Sequence, residues 1–206
     1  MDSKSAFVYA QVRRALQAGR YAPGQRIDPT TLASECHTSP TPVRFALYRL
    51  VGEDLISDHA RNGLHVPLLT EVAMRDLYQW MEDLLRMACD IGVARTFRQT
   101  TKLEIDADQG DLVKLTWQLF DAIARATGNL SLHQAVQRAN DRLAPIRRAK
   151  KGLLEHTAEE FTQLSQHWQA LNMPALKSAL HDYHGRRKQL VPCIVALLNE
   201  RNDLLH

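Results

Sequence analysis

The sequence predicts a mainly α-helical protein: an N-terminal winged helix-turn-helix, with three helices and a β-hairpin wing, followed by an all-α helical bundle. Three observations predict this fold. Apolar residues recur at helical spacing along most of the 206 residues. The first 68 residues hold three short helical segments and an Asn-Gly hairpin, and no strand pattern follows them. We expect two domains, residues 1–70 and residues 71–206.

The first two helices are predicted from periodicity and from their end signals. Apolar residues at i, i+4, i+7 and i+8 from Val8 predict an amphipathic helix over residues 5–18, which Gly19 can end. A short second helix is predicted after Asp28, whose side chain can cap it. Pro29 then occupies the first helical position, where a missing N–H does no harm.

The third helix and the wing follow a break at "HTSPTP". Residues Val43, Ala46, Leu47 and Leu50 form the face expected to be buried. The opposite face offers side chains suited to the DNA major groove, and the helix start offers free N–H groups to a phosphate. Two short strands joined at Arg61-Asn62-Gly63 are predicted next, because Asn-Gly is the strongest short hairpin signal.

The second region is predicted to form five to seven helices. Thr70 is predicted to cap a long first helix, and Gly128-Asn129 to end a later one. Pro145 predicts a kink or a break inside the next helix. The basic run "RRAKK" at 147–151 is interpreted as a solvated helix face.

Composition excludes several classes of protein. The net charge of +3 is too small to indicate nucleic-acid binding by itself, and the three cysteines form no zinc or disulfide pattern. No apolar stretch approaches the length of a membrane span, which predicts a cytoplasmic protein with no membrane partner. We find no nucleophile–base pair, no paired-carboxylate motif and no phosphate loop, so an enzyme is not expected.

The N-terminal residues resemble the DNA-binding half of GntR-family transcription regulators. That family follows P-G-x-x-L, then L-A, then S-x-T-P-V-R-x-A-L-x-x-L, and ends with a wing glycine. The matching residues are Pro23-Gly24, Ile27, Leu32-Ala33, Ser39, Thr41-Pro42-Val43-Arg44, Ala46-Leu47, Leu50, Leu55-Ile56 and Gly63. The all-helical remainder resembles the FadR-type branch of the family, with its FCD effector domain.

This resemblance implies double-stranded operator DNA as a partner. The residues expected to contact DNA are Thr30, Ser39, Thr41, Arg44, Tyr48, Arg49, Arg61, Asn62 and Gly63. One departure concerns Pro40, which stands where the family usually has an arginine that reads a guanine. The family's usual operator is therefore not expected. For Asn62-Gly63, a hairpin tip without groove contact remains an alternative.

FCD domains commonly hold a divalent metal between an aspartate and three histidines. The resemblance places Trp117 at the aspartate position, Asp121 and Phe161 at the first two histidine positions, and His184 at the last. Because tryptophan and phenylalanine do not ligate metals, we expect no metal and no cofactor. His133, His156, His167 and His181 are other candidate ligands, but none forms a close sequence pair with Asp121.

The aromatic residues of the second region fall where the family builds its ligand cavity. They predict a pocket for an apolar or aromatic effector, although core packing explains aromatics at helical spacing equally well. The residues expected to bind the effector are Tyr78, Trp117, Asp121, Asn129, Arg138, Arg142, Phe161 and His184. Trp80, Phe120 and Trp168 belong to the same predicted aromatic cluster.

Together these observations predict a homodimeric, sequence-specific DNA-binding regulator, a repressor, whose helical domain senses a small molecule. Two alternatives stay open within the same family. One is a metal-dependent pocket that senses carboxylates, and the other is a filled pocket with no small-molecule effector.

Overall fold

The computed structural model describes residues 4–60, 62–94, 111–149 and 152–203. Its N-terminal region has the predicted order of three helices and a hairpin. The elements are α1 (Lys4–Gln17), β1 (Arg26–Ile27), α2 (Pro29–Glu35), α3 (Pro40–Gly52), β2 (Ser57–His59) and β3 (Gly63–His65). The predicted winged helix-turn-helix is therefore confirmed.

The end signals act as the sequence predicts. Asp28 caps α2, because its Oδ2 accepts a hydrogen bond from the Thr31 N–H at 2.8 Å, and Pro29 is the first residue of the helix. Helix α1 ends at Gln17, and Gly19 follows with a φ of 69°. Glycine adopts this left-handed conformation without steric cost.

The wing is a three-stranded antiparallel sheet in the order β1-β3-β2. Strand β1 is an addition to the predicted hairpin, and in it Ile27 pairs with Leu64. Two residues are too few to give an alternation pattern, so the sequence alone does not reveal this strand. Gly63 has a φ of 78° at the hairpin turn, as the Asn-Gly signal predicts.

A hydrophobic core holds the N-terminal region together. Val8, Val43, Leu47 and Leu50 have no exposed surface, and they join α1 to α3 beneath the sheet. The face of α3 that the sequence predicts to be buried is therefore the buried one.

The second region is entirely helical in the residues that the structure describes. Its six helices are α4 (Glu71–Ile91), α5 (Leu112–Ala126), α6 (Leu130–Ala149), α7 (Thr157–Gln169), α8 (Met173–Gln189) and α9 (Val191–Asp203). Thr70 caps α4 through a 3.2 Å bond from the Ala73 N–H. Pro145 neither breaks α6 nor ends it, contrary to one predicted outcome. Among the described residues, no helix has both the length and the apolar character needed to cross a bilayer.

A second hydrophobic core, separate from the first, fills this bundle. It is built around Met74, Met81, Leu85, Leu119 and Leu143. The two cores agree with a division of the chain near residue 70, and the boundary itself stays a prediction.

Candidate functional site

Four exposed side chains of α3 form one face, which we call the recognition face: Thr41, Arg44, Phe45 and Tyr48. They lie opposite the buried stripe of the same helix. Phe45 is 69% exposed and Tyr48 is 55% exposed. Sequence analysis missed Phe45, although its place between Arg44 and the buried Ala46 puts it outside the apolar stripe. Exposed aromatic rings beside a free cation suit contact with base edges and thymine methyl groups.

Arg44 is available to a ligand, whereas Arg49 is engaged within the protein. Within the part of the chain that the structure describes, Arg44 makes no ion pair and no side-chain hydrogen bond. Arg49 Nε donates to Glu53 Oε1 at 3.3 Å, and its guanidinium lies 3.9 Å from the centre of the Tyr9 ring. The Tyr9 hydroxyl donates to Glu53 Oε2 at 2.7 Å. Arg49 therefore joins α1 to α3 while its side chain stays 61% exposed, and its contact with DNA stays a prediction.

The start of α3 is a weaker anion site than the sequence suggests. Ser39 is the N-cap, and its side chain accepts no capping hydrogen bond. Pro40 and Pro42 fall in the first turn and have no N–H groups, so only Thr41 and Val43 keep donors there. The expected row of free N–H groups is therefore interrupted.

The other predicted DNA-contacting residues surround the recognition face. Thr30 is exposed at the start of α2, and Asn62 is exposed at the tip of the wing. Gly63 is half-buried and begins β3. Arg61 lies outside the described residues.

The residues predicted to bind an effector do not converge on one cavity. Tyr78, Phe161 and His184 are buried in the core of the bundle. Burial raises the pKa of the Tyr78 hydroxyl, so this side chain stays neutral. Trp80 is 52% exposed and lies outside the predicted aromatic cluster. Tyr78 and Phe161 pack as core residues, the alternative that the sequence left open.

The predicted polar anchors have other partners or face away from the core. Asn129 caps α6, because its Oδ1 accepts from the Leu132 N–H at 3.1 Å. Arg138 is exposed. Arg142 lies 3.8 Å from Asp54 of the N-terminal region.

Asp121 pairs with a histidine that the sequence did not connect to it. Its Oδ1 lies 2.7 Å from His133 Nε2 and accepts from Gln137 Nε2 at 2.8 Å. His133 is twelve residues from Asp121 in the sequence, so this spatial pair is compatible with the absence of a close sequence pair. Asp121 and His133 lie on adjacent antiparallel helices, and such contacts leave no signal in local sequence. In the described ranges, no group of three or more His, Cys, Asp or Glu side chains is placed to hold a metal ion.

His184 is held neutral in the bundle core. Complete burial, with a smaller effect of the nearby Arg187 and Arg147, lowers its pKa to about 3, against the opposing effect of the Leu180 carbonyl. The ring Nδ1 lies 2.7 Å from Leu180 O, and the ring stacks on Phe120 at a centroid distance of 5.8 Å. Nδ1 therefore carries the proton, which it donates to the carbonyl.

A cavity large enough for a small molecule lies beside the bundle core, and we call it the arginine-lined cavity. Its volume is about 620 Å³. Its lining residues are Ala18, Gly19, Asp111, Leu112, Val113, Thr116, Arg147, Arg148, Gly152, Leu154, Thr157, Tyr183 and Arg187. None of the eight predicted effector-binding residues is among them. Arg147 is only 5% exposed, which corrects the interpretation of residues 147–151 as a solvated face.

A buried carboxylate joins the N-terminal region to the bundle near this cavity. Asp141 is 2% exposed and accepts from Arg13 Nε at 2.7 Å, from Gln17 Nε2 at 2.6 Å and from Trp117 Nε1 at 2.7 Å. Trp117 therefore supports this contact between the two regions. A second link comes from Arg148 Nε, which donates to the Gln17 carbonyl at 2.6 Å.

Comparison with known proteins supports the DNA-binding assignment of the N-terminal region. Residues 4–66 match the family model "Bacterial regulatory proteins, gntR family". The uncharacterized HTH-type transcriptional regulator YdhC of Bacillus subtilis (strain 168) is 27% identical over 153 residues, 72% of this chain and 63% of that protein. The Nta operon transcriptional regulator of Aminobacter aminovorans is 29% identical over 135 residues, 60% of this chain and 63% of that protein. The matches thus span just under two thirds of each relative.

Solved structures share the fold of nearly the whole chain. Escherichia coli McbR/YncC superposes with a TM-score of 0.70 at 18% identity, over 93% of this chain and 98% of that one. A putative GntR transcriptional regulator from Rhodococcus sp. RHA1 gives a TM-score of 0.71 at 14% identity, over 92% and 98%. At these identities the likeness establishes the fold alone. The match to the gntR family of bacterial regulatory proteins therefore covers residues 4–66, the part of the chain that forms the winged helix-turn-helix.

Proposed function

We propose that the chain is a transcription regulator that binds double-stranded operator DNA as a homodimer, represses transcription and responds to a small-molecule effector. The observation that carries this proposal is the recognition face, which presents Arg44 between Thr41 and Tyr48 on a helix whose opposite side is fully buried. Arg44 has no ion-pair partner among the described residues. We assign residues 1–70 to DNA binding and residues 71–206 to effector binding and dimerisation. Because its target is bacterial operator DNA, we place the protein in the cytoplasm.

In this proposal α3 lies in the major groove. Arg44 donates hydrogen bonds to a guanine or a phosphate, and the exposed Phe45 and Tyr48 rings contact neighbouring bases. Pro40 has no polar side chain, so base recognition depends on the middle of the helix rather than on its start. Thr30, Ser39 and Asn62 contribute contacts to the DNA backbone at the edges.

Replacing Arg44 by alanine is expected to weaken specific operator binding by about 5-fold to 150-fold, because a good base contact contributes about 1–3 kcal/mol. The operator is first selected from genomic fragments with the purified protein. Affinity is then measured by fluorescence anisotropy at fixed salt.

Arg138→Ala is the control for this experiment, because it removes one exposed arginine from α6, away from the recognition face. Circular dichroism checks that both variants fold. Unchanged operator affinity of a folded Arg44→Ala protein would overturn the assignment of the recognition face.

The second region is proposed to be an FCD-like domain of the FadR-type branch, with the arginine-lined cavity as its effector site. Support comes from the position of the cavity. Ala18 and Gly19, at the end of the DNA-binding region's first helix, form part of its wall. Arg148, another wall residue, holds the Gln17 carbonyl. A molecule in the cavity therefore touches both regions and can favour one of their relative arrangements over another.

Two alternatives are separable by experiment. A metal-dependent, carboxylate-sensing pocket requires about one equivalent of a divalent metal per chain after dialysis, measured by elemental analysis. A regulator with a filled pocket requires that no ligand changes its DNA affinity. The arginine-lined cavity favours the effector-responsive form.

Dimerisation is proposed to use α4. Trp80, Met87 and Ile91 occupy one face of this helix at i, i+7 and i+11, and each is about half exposed. Exposed apolar side chains of this size on one helical face are typical of protein–protein contacts.

We expect light scattering to give twice the chain mass of 23.4 kDa at micromolar concentration. We expect a Trp80→Glu/Met87→Glu variant to give the monomer mass, because buried unpaired carboxylates oppose association. Leu130→Glu changes an apolar residue on α6 that is even more exposed, and it is expected to leave the dimer intact. A dimer that survives both α4 substitutions would place the interface elsewhere.

A further inference from the structure

We propose that the arginine-lined cavity binds a small molecule with one carboxylate and an apolar body, and that Arg147 receives the carboxylate with Arg187 beside it. This inference deepens the proposed function, because it names the chemical class of the effector. It also moves the binding site away from the eight residues that the sequence suggested.

Among the residues that the structure describes, Arg147 is a buried cation without a carboxylate partner. It is 5% exposed, and its Nη1 donates to the neutral side chain of Asn140 at 2.6 Å. Its Nε and Nη2 find no hydrogen-bond partner among the described residues. Burying such donors unsatisfied is costly, and an ionised carboxylate is the group that best fits two N–H groups of one guanidinium.

Arg187 stands on the same cavity wall and is already paired. It is 3% exposed, and its Nη2 donates to Glu160 Oε2 at 2.6 Å. Its guanidinium also lies 3.2 Å from the centre of the Tyr183 ring. These contacts hold the side chain in one position, while its Nε has no partner in the described chain.

The charges at the cavity favour a single negative charge on the ligand. Three lining residues are cationic, and two of them have carboxylate partners: Arg148 pairs with Asp111, and Arg187 pairs with Glu160. Arg147 remains as the unbalanced charge among the residues described. A monocarboxylate neutralises it, whereas a phosphate dianion adds a second negative charge near two existing carboxylates.

The rest of the wall suits an apolar body. Leu112, Val113, Leu154 and the Tyr183 ring line the cavity together with the aliphatic stem of Arg148. A volume of about 620 Å³ falls within the range of about 300–1,000 Å³ that is typical of small-molecule sites. The cavity is therefore large enough for an acid well beyond acetate in size.

The test uses the full-length protein and a panel of matched acids and amides: octanoate with octanamide, and 2-naphthoate with 2-naphthamide. Binding is measured by isothermal titration calorimetry, with inorganic phosphate as a separate probe. We expect at least one acid to bind, with its amide at least about tenfold weaker, because hydrogen bonds to ionised groups are the stronger kind. Phosphate is expected to bind more weakly than that acid.

Three variants locate the site. Arg147→Gln is expected to weaken binding of the acid at least about tenfold. Arg147→Lys, which keeps the charge, is expected to lose less of the binding affinity. Arg138→Gln, on the exposed side of the same helix, is expected to bind as the unchanged protein does. Circular dichroism verifies folding, and if Arg147→Gln does not fold, Arg147→Lys and the acid–amide comparison still decide.

Each outcome has a defined meaning. Any one of four results would overturn the proposal: no acid binds, acids and amides bind equally, phosphate binds as tightly as the best acid, or folded Arg147→Gln binds the acid as well as the unchanged protein does. Operator affinity is measured in parallel with and without the acid. If the acid binds through Arg147 and DNA affinity is unchanged, the carboxylate site stands and the effector role fails. If no acid binds and operator binding is normal, the site fails and the DNA-binding role stands.

Discussion

Replacing Arg13 by alanine is expected to destabilise the folded protein by about 3 kcal/mol. Removing one partner of a buried ion pair typically costs about 3–5 kcal/mol, because the remaining charge is left uncompensated. Asp141 is that remaining charge, since it is 2% exposed. The low end of the range applies because Gln17 and Trp117 still donate to its Oδ1. The loss is measured as the free energy of unfolding in urea.

A double-mutant cycle separates the ion pair from other effects of truncation. In an Asp141→Asn background no carboxylate remains to be stranded, so Arg13→Ala is expected to cost much less there. Arg75→Ala is the surface control, because the Arg75–Glu71 pair is 3.7 Å long with both side chains nearly half exposed. It is expected to change stability by less than about 1 kcal/mol. Equal costs of Arg13→Ala in both backgrounds would contradict the structural role of this pair.

The contact between Asp141 and α1 also connects the arginine-lined cavity with α3, the helix that carries the recognition face. Arg148 and Asp141 both hold the end of α1 at Gln17. Further along α1, Tyr9 reaches Glu53 at the end of α3. We expect Arg13→Ala to lower the stability of the protein and also to reduce the change in DNA affinity that an effector causes. The substitution removes part of the Asp141 contact, one of the two contacts that hold the end of α1.

The N-terminal region was predictable because its signals are local. Asp28 followed by Pro29 specifies the start of α2, and Asn62-Gly63 specifies the wing turn. The buried stripe of α3 follows from spacing alone. What spacing does not reveal is whether an exposed cation has a partner, and so Arg44 and Arg49 looked equivalent. The ring of Tyr9 and the carboxylate of Glu53, which distinguish them, come from separate parts of the fold.

The cavity was not predictable because its residues come from four separate stretches of the chain. Arg147 looked like part of a solvated basic run, yet it lies at i+4 from the buried Leu143 and at i+7 from the buried Asn140. This helical spacing was the one feature of the sequence that could have predicted the burial of Arg147. The burial of Asn140 and its bond to Arg147 depend on how α5 and α6 pack together, and this packing is not encoded in local periodicity.

Lowering the pH from 7 to 5 is expected to reduce the free energy of unfolding by about 2 kcal/mol through His184 alone. In the folded protein, burial lowers the His184 pKa from 6.5 to about 3. In the unfolded chain the imidazole takes up a proton below about pH 6.5, and the folded chain does not. The unfolded state therefore binds more protons, so stability is complete above about pH 6.5 and falls by about 1.4 kcal/mol per pH unit below it.

This dependence is measured by urea unfolding between pH 7 and pH 5, a window in which ordinary carboxylates stay ionised. His184→Gln has no group that titrates there, so its stability is expected to fall by about 2 kcal/mol less across the window. The readout is the slope against pH rather than the absolute stability, so a uniform loss from repacking around Phe120 does not affect it. His156→Gln is the matched control, because it makes the same substitution at an imidazole that is 76% exposed rather than buried. An equal slope in the unchanged protein and in His184→Gln would show that the buried imidazole accepts a proton in place, with an anion or water compensating the charge beside Arg147 and Arg187.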